Sequence, residues 1–169
     1  LWFQKLFGLI KKKALMIKIN VIFNNTLWKK TLKNPQSYFD DKIKLINKKN
    51  DLFKKNKLIC SLLLSDTKEI KRLNKKFRKK NKSTDVLSFP FYEKKELQKR
   101  IKKEKEIYIG DIIINFNKID YKNSENDFEN KLNILWIHGL VHLFGYKHKK
   151  NKDFKSMNKL EKTYLNFIN

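Results

Sequence analysis

The sequence is poor in cysteine, arginine and histidine and has no long apolar run, and each shortage excludes something. A single cysteine, Cys60, cannot close an internal disulfide, so the fold depends on a buried core rather than on covalent staples. Cys60 lies in Leu58-Ile59-Cys60-Ser61-Leu62-Leu63-Leu64, where a reduced, buried thiol is expected, and a reducing cytoplasmic location fits. The longest uncharged stretch runs from Leu132 to Tyr146 and carries two histidines. It falls short of the ~20 apolar residues of a helical membrane span, so no membrane association is expected. Near the amino terminus the mostly apolar residues 1–10 precede Lys11-Lys12-Lys13, whereas a secretory signal places its charge first. Met16 opens a strand pattern through Phe23. Residues 1–15 are therefore expected to form an upstream or disordered extension, and residues 16–169 a single working domain.

Arginine occurs only at Arg72, Arg78 and Arg100, although Lys+Arg reach 41 against 17 Asp+Glu, a formal charge of +24. Lysine thus carries nearly all of the positive charge. Such a field attracts polyanions, but arginine is the residue suited to bidentate phosphate contacts. Composition alone leaves a nucleic-acid partner and a merely solvated lysine surface on equal footing.

What the sequence does have is the patterning of one α+β domain. Hydrophobic residues make up 40%, enough to fill a core. Strands are expected at 16–23, 57–64, 86–91 and 107–115, the third either at a sheet edge or ending at Pro90, which lacks a ladder donor. Helices are expected from Pro35 to about Lys49, after a cap at Asp66 or Thr67, from about Asn126 to Phe144, and from about Lys152 to Phe167. Phe154, Met157, Leu160, Tyr164 and Leu165 would give the last helix its inner face. The lysine- and asparagine-rich stretch after Phe23 reads as a connection, and residues 92–106 as an exposed, mobile lysine/glutamate insertion. The fold class is a small mixed β-sheet with helices packed on it.

All three histidines fall in one window, His138-Gly139-Leu140-Val141-His142-Leu143-Phe144-Gly145-Tyr146-Lys147-His148. Residues i and i+4 stack on one helix face, so His138 and His142 can reach one ion. Gly145 suits the helix end, and the chain can then turn to bring His148 back over the first two. Three neutral imidazoles suit Zn²⁺ on the long helix and its following loop and leave a fourth position for water, with geometry and supply deciding among zinc, nickel and copper. A zinc peptidase would carry a general-base glutamate directly after the first histidine, where this chain has Gly139.

The window resembles the signature H-G-x-L-H-L-x-G-Y-D-H of the YbeY-type endoribonucleases, the bacterial rRNA maturation factors. It departs at Val141 and, more consequentially, at Lys147, where the family has aspartate. Leu73-Asn74-Lys75-Lys76-Phe77-Arg78, Ser83-Thr84-Asp85-Val86-Leu87-Ser88-Phe89-Pro90 and Ile109-Gly110-Asp111-Ile112 are similar to further family elements, and Met157 and Glu161 fall where its last helix has methionine and glutamate. The resemblance implies a single-strand-specific, metal-dependent endoribonuclease acting in 16S rRNA 3′-end maturation and ribosome quality control. Its partners would be single-stranded RNA, the 16S rRNA precursor and the ribosome or its small subunit. It also implies that His138, His142 and His148 hold one Zn²⁺ per chain, and that Arg78 acts with His138 in catalysis as a phosphate or transition-state contact. Thr84, Asp85 and Ser88 would form wall and scaffold. At Lys147, a lysine would either repel the dication or point outward. Two rival readings are a ribosome-assembly RNA-binding factor with a structural zinc, closed by Asp111, Asp153 or Glu161, and a zinc hydrolase of a small non-RNA substrate.

Overall fold

The computed structural model describes residues 14–23, 25–49, 54–120, 124–147 and 151–168. Strands β1 (Ala14–Phe23), β2 (Lys54–Ser65) and β4 (Glu106–Asn115) run parallel, and β3 (Val86–Pro90) pairs antiparallel with β4. The sheet order is β1-β2-β4-β3, which places β3 at an edge as Pro90 requires. The first strand starts at Ala14 rather than at Met16; residues 1–13, the bulk of the expected extension, lie outside the described residues.

Alternation sorts the strands' side chains between two faces. Ile17 and Ile19 of β1, Leu58, Cys60, Leu62 and Leu64 of β2, and Ile112 and Ile114 of β4 enter the main core. Helices α2 (Pro35–Lys49) and α5 (Glu125–Leu143) cover that side, and α6 (Asn151–Ile168) packs against both of them. On the opposite side α3 (Thr67–Arg78) seats Ile70 against Leu87 and Ile113, forming a smaller cluster. Asp66 caps α3 by accepting from the Glu69 N–H at 2.9 Å.

An edge strand exposes N–H and C=O groups that can pair with another chain. On β1, side chains of α2 occupy them. The Asn47 carboxamide accepts from the Ile17 N–H and donates to the Ile17 carbonyl, both at 2.9 Å. Gln36 accepts from the Val21 N–H at 2.8 Å and donates to the Ile19 carbonyl at 3.0 Å. Two helical amides thus stand in for a neighbouring strand.

Three expectations are corrected. The connection after β1 contains a helix, α1 (Thr26–Leu32), capped by Asn25 and held by the fully buried Trp28. The expected mobile insertion contains α4 (Lys94–Lys103), which seats Leu97 in the core with Ile101 packed beside it. Those two apolar residues sit one helical turn apart among charges, enough to dock the helix. In α6, Met157, Leu160, Tyr164 and Ile168 are buried, but Phe154 is 56% exposed, because it precedes the stretch that faces α2 and α5.

Cys60 is fully buried, and burial pushes its thiol up to about 12. Thiolate is the reacting form, so native protein is expected to resist alkylation at neutral pH and to label only once unfolded by denaturant. Mass spectrometry of the alkylated chain checks this; rapid labelling without denaturant would contradict it.

Candidate metal centre and cleft

Ser124 caps α5, and the helix ends at Phe144 with Gly145 in the left-handed region at φ 81°. His138 and His142 project from the last turns of α5, and Ile134, one turn earlier, joins them in lining a cleft. The Nε2 atoms of the two histidines are 3.0 Å apart, with rings perpendicular and centroids at 4.5 Å.

The opposite ring nitrogens fix the proton positions. His142 Nδ1 lies 2.8 Å from the Tyr146 carbonyl oxygen, which can only accept, so a neutral His142 carries its proton on Nδ1. His138 Nδ1 lies 2.8 Å from Glu161 Oε1, which favours the same tautomer. The two Nε2 atoms, 3.0 Å apart, are close enough to bind one cation together. Two nitrogens bound tetrahedrally to zinc at ~2.0–2.1 Å would sit about 3.3 Å apart, close to the separation here. A carboxylate or carbonyl behind each ligating histidine is also the usual support of metal-bound imidazole. The donor set therefore fits a borderline metal ion such as Zn²⁺. The third histidine of the motif, His148, lies outside the described residues, and among the described residues no three His, Cys, Asp or Glu donors converge on one point.

The cleft has a volume of about 370 Å³ and is bounded by Arg78, by Thr84, Asp85, Val86 and Ser88 of the β3 segment, by the two histidines and by Glu161. Arg78 ends α3; its Nη2 donates to the Ser88 carbonyl at 2.9 Å, and its guanidinium lies 5.6 Å from the Phe89 ring centre. One of five N–H donors is thereby used to aim the fork. Asn74, one turn earlier and buried, donates to the Lys82 carbonyl at 2.7 Å and holds the loop between α3 and β3. Thr84 and Asp85 act as scaffold. Asp85 accepts from the Val86 N–H at 2.8 Å, and Asn115 donates to the Thr84 carbonyl at 3.1 Å. Ser88 is buried in the wall.

Gly139 explains why a peptidase glutamate has no place here. A Cβ at that position would lie 2.7 Å from Ile112 Cγ2, so the position faces the sheet, and α5 rests directly on β4. Lys147 points outward. Its ammonium donates to both Glu93 oxygens, at 2.8 and 3.0 Å, tying the loop after α5 to the start of α4. Asp111 sits on β4 and accepts from the Tyr108 hydroxyl at 2.5 Å, away from the histidine pair's own partners. Glu161 meets His138 at Nδ1, on the side of the ring away from the Nε2 pair.

A single α+β domain in which paired imidazoles at a helix end share a cleft with an arginine has the make-up of a hydrolase. The chain belongs to the endoribonuclease YbeY family, whose model matches residues 22–169. The Pelagibacter ubique endoribonuclease YbeY is 41% identical over 155 residues, covering 90% of this chain and 97% of the relative. Its counterpart in Buchnera aphidicola subsp. Schizaphis graminum is 36% identical over 119 residues, 69% of this chain and 70% of that one. A solution structure of a Thermotoga maritima protein is similar over 89% of both chains, with a TM-score of 0.52 and 26% identity.

Proposed function

We propose that the protein is a zinc-dependent, single-strand-specific endoribonuclease that acts in the cytoplasm on the 3′ end of the 16S rRNA precursor and in ribosome quality control. The observation that carries this reading is the pair of His138 and His142 Nε2 atoms, 3.0 Å apart, in the same cleft as Arg78. His138 and His142, with His148 from the motif, would hold one Zn²⁺ per chain. When bound, such an ion supplies Lewis-acid polarisation of a phosphoryl oxygen and acidifies water.

The chain's own groups do the rest. Glu161 and the Tyr146 carbonyl keep protons on the two Nδ1 atoms and aim both Nε2 atoms into the cleft. Arg78 presents its remaining N–H groups to phosphoryl oxygens, where negative charge accumulates as the diester is attacked. Ser88 and Phe89 hold that guanidinium in place. The formal charge of +24 draws the polyanion in, and no helix among the described residues is long and apolar enough to cross a membrane.

The test uses an RNA spanning the 3′ end of the 16S precursor, alone or annealed to its complement, with metal-loaded and chelator-treated protein. The expected result is cleavage of the single strand only, lost on metal removal and restored by zinc. Equal cleavage of duplex and single strand, or full activity in protein shown by elemental analysis to be metal-free, would overturn the proposal. The product ends identify the nucleophile: a 2′,3′-cyclic phosphate marks attack by the RNA's own 2′-hydroxyl, and its absence marks water.

Glu161 offers a separate check. Removing a carboxylate behind a ligating histidine typically lowers metal affinity 10–100-fold. Glu161→Ala is expected to weaken zinc binding by about that factor, read by competition with a chromophoric chelator, while the fold persists because the side chain is near the surface. Unchanged affinity would mean that His138 needs no such support.

A further inference from the structure

The end of α3 carries an aromatic surface that the cleft chemistry leaves unused. Phe77 is 57% exposed, although it neighbours Arg78 in sequence. Its ring meets Phe89 edge-on, with centroids 5.4 Å apart and planes at 64°. Phe89 in turn lies beneath the Arg78 guanidinium at 5.6 Å, so one aromatic layer links Phe77 to the cleft. The surrounding side chains are cationic. Lys75, Lys76, Lys79 and Lys80 are exposed, and none of them forms an ion pair among the described residues. The Lys76 ammonium lies 5.2 Å from the Phe77 ring centre. The only carboxylate within α3, Glu69, is taken up by Arg72 at 2.6 Å.

An exposed apolar ring standing alone is ordinary on a protein surface. Here it stands among lysines that form no ion pair among the described residues, packed edge-on against Phe89 and beside a guanidinium that lines the cleft. Sequence-tolerant binding of single strands uses this combination: cations that track the backbone and a flat ring on which a base stacks. A peptide or protein partner would need acidic groups to match the lysines.

We propose that Phe77 is a stacking platform for an unpaired base of the RNA strand, next to the phosphate that Arg78 engages, with the backbone of that strand passing over the lysines at the end of α3. This deepens the endoribonuclease reading and rests on it. A platform that accepts only an unstacked base also gives a physical source for preferring single strands, since a base held in a duplex has no free face to offer.

The test is equilibrium binding, by fluorescence anisotropy in chelator to stop turnover, of a short unstructured oligoribonucleotide and an abasic strand of equal length. Loss of one base-stacking contact corresponds to a weakening of about 5- to 150-fold. Phe77→Ala is expected to show it for the base-bearing strand only, with an unchanged slope of log affinity against log salt. Phe77→Tyr should bind like the wild type. Phe77→Leu, which keeps apolar contact with Phe89 but not a flat ring, should follow the alanine variant and serves if the alanine variant folds poorly. Lys75→Ala should weaken both strands alike and flatten the salt slope, as loss of one phosphate contact does. If Phe77→Ala and Phe77→Leu bind the base-bearing strand as the wild type does, or if the wild type fails to distinguish the two strands, the platform is overturned and the nuclease reading stands. If the wild type neither binds nor cleaves single-stranded RNA, both fall.

Discussion

Arg78→Ala is expected to cleave single-stranded RNA about 10²–10³-fold more slowly than the wild type while keeping its metal and its melting temperature. The size follows from the group's position. Its guanidinium shares the cleft with His138 and His142 and is aimed by the Ser88 carbonyl and the Phe89 ring, so it meets the substrate phosphate already oriented. A preorganised donor at developing charge contributes about 2.7–4 kcal/mol to a transition state, which is the factor stated. The fold loses little, because Arg78 is exposed and gives up one hydrogen bond. Arg78→Lys should recover only part of the rate, since an ammonium cannot reproduce a planar fork. His138→Ala is the contrasting variant: it should lose metal and cleavage together. Single-turnover rates with elemental analysis on all three variants separate the roles. Wild-type cleavage by Arg78→Ala would remove Arg78 from the chemistry.

Most of the fold could be read from the chain because long periodic segments announce themselves. The alternation in β1, the continuous apolar run of β2 and the helical spacing in α6 all have the length that periodicity needs, and α5 shows as a long uncharged run. The failures were short or diluted elements. The seven residues of α1 make barely two turns around a single core residue, Trp28, too few to establish a period. In α4 the charges of Lys94 to Lys103 hide Leu97 and Ile101, whose burial depends on which surface the helix meets. The site divides along the same line. The i,i+4 pair His138 and His142 is a local feature and shows in the sequence. Its supports show less: Glu161 arrives from another helix, 23 residues on, and the Tyr146 carbonyl, though only four residues from His142, is backbone with no side-chain signature. Lys147, read from the sequence as either repelling a dication or pointing outward, takes its role from Glu93, 54 residues upstream.

Of the two helices hidden in the sequence, α1 carries a residue whose loss should cost much stability. Trp28 is fully buried, its ring edge-on to Phe116 at 5.1 Å and to Phe128 at 6.1 Å, and its indole N–H donates to the Ser65 carbonyl at 3.0 Å. Trp28→Ala leaves a cavity beneath α1 and strips that carbonyl of its donor, so a loss of about 3–5 kcal/mol is expected. For a chain of this size that lowers the melting temperature by roughly 6–20 °C. Trp28→Phe should fall between, because it keeps most of the ring contact and loses the hydrogen bond. Ser65 directly precedes Asp66, the residue that caps α3, and α3 ends in Arg78. Loosening Ser65 should therefore reach the cleft before the chain unfolds. Cleavage per folded molecule is expected to drop in Trp28→Ala at temperatures well below its melting point, with zinc affinity unaffected because α5 and α6 carry the histidine pair and its carboxylate. Urea unfolding followed by tryptophan fluorescence, together with RNA cleavage at low temperature, measures both parts. A variant that melts like the wild type would show that α1 is a dispensable cover over a core complete without it.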